Sequence, residues 1–200
     1  MINKYLFYQT IQSKEYRVAK IIAMTLFMFT LIGQAFATDA SVNDDSLKEK
    51  IASMAPVNGT YRNEQYGFGV SVLQTKAYQP TGRDPDHGII ILLGDSRTIT
   101  VSAMYDAAFY GSTKSQLNHR LQGEHFDSVK RSATILDGKS AAQAVLQSRG
   151  NITKVVVQRR NEADGILYDL ELTTNKANQG EDSKTFDSII HTFKTYGLPK

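Results

Sequence analysis

The alternation of apolar and polar residues is clearest over residues 88–106, where it predicts a central β-hairpin. Residues 89–93 are continuously apolar, which is typical of a strand covered on both faces. After the turn sequence Gly-Asp-Ser-Arg, the chain alternates and places four residues on one face, namely Ile99, Val101, Ala103 and Tyr105. Two such segments joined by a short turn can nucleate an antiparallel sheet.

Further strands are predicted on both sides of this hairpin. Residues 61–73 fit two short strands around a turn. Four more candidate strands follow at residues 129–136, 140–148, 151–160 and 165–173, and turn-forming residues separate them. These connections are too short for parallel crossovers, which need a dozen or more residues. The strands therefore predict an antiparallel meander.

Three helices are predicted around the strands. The first begins with a capping box at Ser46, continues through Met54 and ends at Pro56. The second begins with a capping box at Thr113. The third carries an apolar stripe at helical spacing, formed by Phe186, Ile189, Ile190 and Phe193. The order of elements predicts an α+β fold, with one antiparallel sheet of about six to seven strands and about three helices.

An apolar run at residues 21–33 predicts a secretory signal peptide. Lys14, Arg17 and Lys20 precede the run, and Ala35-Phe-Ala37 follows it with small residues where a cleavage site needs them. The alternative is a membrane anchor, but the run is shorter than the roughly 20 residues that a spanning helix requires.

Export with cleavage defines the expected domain organisation. We expect residues 1–37 to be a signal peptide cut between Ala37 and Thr38, residues 38–45 to be a flexible linker, and residues 46–200 to form one α+β domain. The basic N-terminal region suggests a bacterial leader, so the expected location is the periplasm.

Removal of the leader changes the charge balance of the chain. The whole sequence has 23 basic and 20 acidic residues, and 19 of each remain after position 37. A neutral mature chain gives no general attraction to nucleic acid or to an anionic membrane. The chain contains no cysteine, which excludes thiol catalysis, disulfides and cysteine metal sites.

A polar loop at residues 79–88 is the predicted interaction surface, together with the hairpin turn at residues 94–97. Both are rich in turn-forming residues, and loops on a rigid sheet are frequent recognition sites. The candidate binding residues are Arg83, Asp84, Asp86, His87, Asp95 and Arg97. Asp84, Asp86 and His87 are too few for a zinc site and lack the spacing of a calcium loop, so we expect no metal and no cofactor.

The sequence Gly94-Asp-Ser96 is the strongest enzymatic hint, because it resembles the first block of GDSL-type serine hydrolases. That resemblance implies a nucleophilic Ser96 with a C-terminal base. However, Ser96 precedes a strand pattern and not a helix, and Asp187 and His191 are spaced as an ordinary ion pair on a helix. The chain is therefore expected to be non-enzymatic, and a small esterase is the alternative of a different class.

Both ends of the mature chain resemble the PsbP-like group, which includes bacterial DcrB-type exported proteins. Residues 61–72, Tyr-Arg-Asn-Glu-Gln-Tyr-Gly-Phe-Gly-Val-Ser-Val, are similar to the group's opening hairpin. Residues 186–194, Phe-Asp-Ser-Ile-Ile-His-Thr-Phe-Lys, are similar to its closing helix. The resemblance implies an antiparallel sheet with helices on both faces, and roles in binding and not in catalysis.

These observations together predict an exported protein that works by binding another periplasmic protein, as an adaptor does. One alternative is an immunity or inhibitor protein that blocks a toxin delivered to the periplasm. A small-ligand carrier is a third possibility, which would require a concave apolar pocket. No nucleic acid and, after leader cleavage, no membrane is expected as a partner.

Overall fold

The computed structural model describes residues 51–52, 54–73, 75–80, 87–94, 96–105, 111–160 and 165–198. The predicted signal peptide, its cleavage site, the linker and the capping box at Ser46 lie outside these residues. Ile51 and Ala52 are helical. In the described part of the chain, no helix is long and apolar enough to cross a membrane.

The described residues form eleven strands and two helices. The strands are β1 (Met54–Val57), β2 (Thr60–Asn63), β3 (Phe68–Ser71), β4 (Lys76–Pro80), β5 (Gly88–Gly94), β6 (Arg97–Tyr105), β7 (Ser128–Leu136), β8 (Lys139–Ser148), β9 (Asn151–Arg159), β10 (Ile166–Asn175) and β11 (Lys194–Thr195). The helices are α1 (Thr113–Arg120) and α2 (Gln179–Thr192).

The strands form two antiparallel sheets. The larger sheet has eight strands in the order β1-β4-β5-β6-β10-β9-β8-β7, and the smaller sheet has the order β11-β3-β2. The predicted α+β class, central hairpin and meander are confirmed. The prediction of one sheet with six to seven strands is wrong, because β2 and β3 pair with the short strand β11 instead of joining the central hairpin.

The predicted end of the first helix is also wrong. Met54 and Pro56 lie in β1, which pairs with β4 at one edge of the larger sheet. Proline is tolerated in an edge strand because its missing N–H can face away from the neighbouring strand. The second helix is capped one residue earlier than predicted, since Ser112 Oγ accepts a hydrogen bond from the Ser115 amide at 3.2 Å.

A cluster of buried aromatic rings fills the space between the larger sheet, the smaller sheet and α2. Phe68 of β3, Tyr168 of β10 and Phe193 at the end of α2 have ring centroids 5.3 to 5.6 Å apart. None of these three side chains is accessible to solvent. Aromatic side chains at these distances contribute more than their buried area alone. This contact therefore fixes the smaller sheet on the larger one.

Helix α1 covers part of the opposite face of the larger sheet. Leu117 and Leu121 pack on alternate residues of β8, β9 and β10, including Val155 and Leu167. Arg120 extends from the same helix toward three carboxylates. Its Nη2 lies 2.6 Å from Glu171 Oε2, its Nε lies 3.2 Å from Asp169 Oδ2, and its Nη1 lies 3.1 Å from Glu124 Oε1.

Burial shifts the pKa values of Asp169 and Glu171. Burial raises the pKa of the Asp169 carboxyl above its ordinary value, and attraction to Arg120 offsets only part of that effect. Burial raises the pKa of Glu171 in the same way. Burial also opposes the charge of Arg120, but the three carboxylates outweigh it and raise the Arg120 pKa. Within the described residues, Asp169 Oδ1 has no hydrogen-bond partner.

Replacing Asp169 by Asn should change how stability depends on pH. Because the folded-state pKa of Asp169 is raised, the folded protein binds a proton at a higher pH than the unfolded chain does. The free energy of unfolding of the wild type, relative to that of Asp169→Asn, should therefore rise as the pH falls from neutral through the folded-state pKa. Urea unfolding at a series of pH values measures this difference.

The matched control is Asp187→Asn, which removes an acidic side chain at an exposed position. The prediction would be contradicted if the free energy of unfolding of the wild type, relative to that of Asp169→Asn, became smaller as the pH falls. That result would mean that attraction to Arg120 outweighs the cost of burying the carboxylate.

Candidate functional site

Only two of the six predicted binding residues are described, and they lie at opposite ends of strand β5. Arg83, Asp84, Asp86 and Asp95 lie outside the described residues, whereas His87 and Arg97 are described. His87 precedes the first residue of β5, and Arg97 follows the turn after its last residue. A seven-residue strand is about 20 Å long. The loop that ends at His87 and the hairpin turn are therefore at opposite ends of β5.

Arg97 holds α2 against the central hairpin. Its Nη1 donates to both carboxylate oxygens of Asp182, at 2.8 and 2.9 Å, and its Nη2 donates to the Leu93 carbonyl at 2.8 Å. Asp182 is buried in the first turn of α2 and also accepts a hydrogen bond from Thr174 Oγ1. A partly buried pair of this kind makes strong, oriented hydrogen bonds. Arg97 thus has a structural role in this fold.

His87 is held in place through one ring nitrogen. Its Nδ1 lies 3.0 Å from the Ala103 carbonyl oxygen and 3.0 Å from the Tyr66 hydroxyl. A carbonyl oxygen can only accept, so these contacts assign the proton of the neutral ring to Nδ1. The ring is exposed, and Nε2 has no hydrogen-bond partner in the part of the chain that the structure describes. Nε2 can therefore accept a hydrogen bond from a binding partner.

Two tyrosines complete a surface with His87, which we call the tyrosine–histidine cluster (Tyr66, His87 and Tyr105). The Tyr66 ring is stacked on His87 at a centroid distance of 5.5 Å, and Tyr105 lies 5.1 Å from Tyr66. Tyr66 is buried, whereas Tyr105 is 55% exposed. The exposed ring thus rests on a buried one at the end of β6.

The backbone of Tyr66 is fixed from two sides. Its amide donates to Asn63 Oδ1 at 2.9 Å, and its carbonyl accepts a hydrogen bond from the Tyr168 hydroxyl at 2.8 Å. Gly67, the next residue, has φ of 63° and would place a Cβ 2.6 Å from the Tyr196 carbonyl oxygen. Only glycine fits this turn without strain. The base of the tyrosine–histidine cluster is therefore rigid.

Ser96 lies in the turn between β5 and β6, as predicted. The residue is exposed and has φ of 55°. Among the described residues, no histidine is hydrogen bonded to Ser96. The expected pairing of Asp187 with His191 is wrong, because Asp187 Oδ1 contacts Lys154 Nζ at 2.6 Å. The residues that the hydrolase resemblance would need are thus not assembled around this serine.

No metal site emerges in the described part of the chain. No group of three or more His, Cys, Asp or Glu side chains there could hold a metal ion. A polar depression of about 200 Å³, lined in part by Asp127, Asn151 and Lys176, lies near the turn between β8 and β9. Pockets that enclose small ligands usually measure about 300–1,000 Å³ and are mostly apolar.

The tyrosine–histidine cluster was only partly predictable from the sequence. The turn residues around His87 marked a loop, and the alternation in β6 placed Tyr105 on the face of Ile99. Tyr66 is 21 residues before His87. The contact between them depends on the packing of the smaller sheet against the larger one, which carries no local sequence signal.

Comparison with known proteins gives structural likenesses only. A scan against protein families finds no match, and a search of curated proteins finds no similar sequence. Among solved structures, cyanobacterial PsbP (CyanoP) from Synechocystis sp. PCC 6803 matches with 15% identity and a TM-score of 0.47, over 80% of this chain and 99% of that chain.

Two further solved structures resemble the fold. LpqN of Mycobacterium tuberculosis, involved in cell envelope biogenesis, has 17% identity and a TM-score of 0.44, over 72% of this chain and 91% of its own. The Ran-binding protein Mog1p of Saccharomyces cerevisiae has 12% identity and a TM-score of 0.38, over 72% of this chain and 96% of its own. The first neighbour is a PsbP protein, the group that both ends of the sequence resemble. With these low identities and TM-scores, none of the neighbours assigns a partner, a reaction or a residue role to this chain.

Proposed function

We propose that this chain is an exported, non-enzymatic protein that binds a partner protein through the tyrosine–histidine cluster. The observation that carries the proposal is the exposure of Tyr105, 55% of whose surface is open although its ring packs on the buried Tyr66. Tyrosine is enriched at protein interfaces, because it offers a large apolar area and a polar tip. A rigid base lowers the entropy lost on binding.

His87 adds a polar contact to the same surface. The ring nitrogen Nδ1 is held by the protein, so Nε2 has a fixed direction and can accept a hydrogen bond from the partner. Arg83, Asp84 and Asp86 precede His87 in the chain and belong to the proposed surface by their position in the sequence. Asp95 and Arg97 do not, because the turn that contains them is at the other end of β5.

The geometry around Ser96 favours binding over catalysis. An activated serine needs a base within hydrogen-bond reach and donors that stabilise the oxyanion. Asp187, which would have to orient the base, is instead ion paired with Lys154 at 2.6 Å. A narrower form of the proposal is inhibition of a toxin, in which case the captured partner is an enzyme that loses activity when bound.

Tyr105→Ala should weaken partner binding by about tenfold or more, since truncation of an aromatic anchor typically costs over 1 kcal/mol. A photo-crosslinking residue at position 105 identifies the partner, and titration with the purified partner measures the dissociation constant. The matched control is Leu73→Ala, which truncates a side chain that is 69% exposed but follows β3 at the opposite end of that strand from Tyr66. If both variants lost the same amount of affinity for the partner, or if Tyr105→Ala lost none, the cluster would not be the binding surface.

Ester hydrolysis tests the non-enzymatic part of the proposal. The wild type and Ser96→Ala should both hydrolyse a short-chain nitrophenyl ester at the rate of buffer alone, because no histidine among the described residues is hydrogen bonded to Ser96 to activate it. A serine hydrolase would show turnover that is lost in the variant. Turnover of that kind would overturn the proposal even if partner binding were also found.

A further inference from the structure

The two edges of the eight-stranded sheet differ in a way that points to self-association. The edge strand β1 is four residues long and contains Pro56, two features that protect a sheet edge from pairing. The edge strand β7 is nine residues long, contains no proline, and pairs only with β8 in the described part of the chain. Its outer backbone groups can therefore pair with another strand.

One exposed apolar residue of β7 has no apolar neighbour opposite it in β8. Residues 130–133 are exposed, and Ile135 is 60% exposed. Ile135 lies opposite Ser140 of β8, whereas Val129 lies opposite Leu146 of β8. Val129 and Ile135 are on the same face of β7, because their positions differ by an even number of residues.

We propose that β7 pairs with β7 of a second copy of this chain, in an antiparallel register centred on Ser132. In that register Val129 faces Ile135 of the partner subunit, and Ile135 faces Val129 of the partner subunit. Val129 and Ile135 are equidistant from Ser132, so these two apolar positions are self-complementary about the central serine. A two-fold contact requires this self-complementarity, since the same surface serves both copies.

Charge and apolar contact together favour this register over its neighbours. With Ser132 at the centre, Lys130 faces Thr134 of the partner subunit and Arg131 faces Ala133 of the partner subunit. Registers shifted by two to four residues toward the N-terminus bring two basic residues directly opposite each other, which is unfavourable. A shift of two residues toward the C-terminus places Ile135 opposite Arg131 of the partner subunit and loses its contact with Val129. An odd shift also moves Ile135 away from the face of Val129. The proposed register is therefore the one that keeps the basic residues apart and also pairs Val129 with Ile135 of the partner subunit.

Both ends of β7 are fixed in the single chain, so little conformational entropy is lost when the strand pairs. Asp127 accepts a hydrogen bond from the Arg149 amide at 2.9 Å. At the other end, Asp137 accepts hydrogen bonds from the Thr195 amide at 2.8 Å and from its hydroxyl at 2.7 Å. A strand held at both ends is preorganised for pairing.

Single cysteines test the register directly, because the chain has no native cysteine. In the proposed dimer the two Ser132 residues face each other, and residues in that position can form a disulfide. The two Lys130 residues lie on the same face but about 13 Å apart along the strand. Under mild oxidation, the purified full chain with Ser132→Cys should form at least about tenfold more disulfide-linked dimer than Lys130→Cys. Equal yields would mean random collision, including association through other segments, and would overturn the proposal.

Two glutamate substitutions test the same register without a covalent bond. Ala133→Glu places each glutamate opposite Arg131 of the partner subunit and should lower the dimer dissociation constant by about tenfold. Ser132→Glu makes the same change in charge one residue away, but puts the two glutamates opposite each other and should raise the constant by about tenfold. Sedimentation velocity over a range of concentrations measures both. A wild type that stays monomeric throughout, or two variants that change the constant in the same direction, would contradict the proposed pairing.

Discussion

The contact of Phe68, Tyr168 and Phe193 holds the two sheets of this protein together. The three rings come from β3, from β10 and from the end of α2, and they are closed to solvent. Tyr168 contributes twice, because its ring fills the core and its hydroxyl binds the Tyr66 carbonyl. A core side chain therefore positions the turn on which His87 and Tyr105 rest. Tyr168 thus determines both the packing of the core and the shape of the surface around His87 and Tyr105.

Strand β10 presents different chemistry on its two faces. Tyr168 and Leu170 face the aromatic core, while Asp169 and Glu171 face α1. Carboxylates in the middle of a sheet are costly to bury, and one arginine cannot compensate for all of them. The raised pKa values of Asp169 and Glu171 express that cost. The side of the sheet under α1 is thus held partly by charge, whereas the other side is held by apolar packing.

The sequence predicted those elements whose signal is local. Strands β5 to β10 were found because alternation and turn residues repeat within each of them. Strands β1, β4 and β11 have two to five residues and were missed, since such short strands exist only through their pairing. The same reason explains why the candidate site was predicted only in part. Arg97 was predicted at a surface turn, but its role depends on Asp182, which is 85 residues away and cannot be inferred from local pattern.

The two proposed contacts are compatible in space. Strands β10, β9 and β8 lie between β6, which ends at Tyr105, and the edge strand β7. Four strand spacings separate them by about 19 Å, so pairing along β7 leaves Tyr105 accessible. A dimer then carries two tyrosine–histidine clusters in a fixed arrangement. For a partner with repeated binding segments, that arrangement converts a weak single contact into a stronger bivalent one, without any new interaction at either cluster.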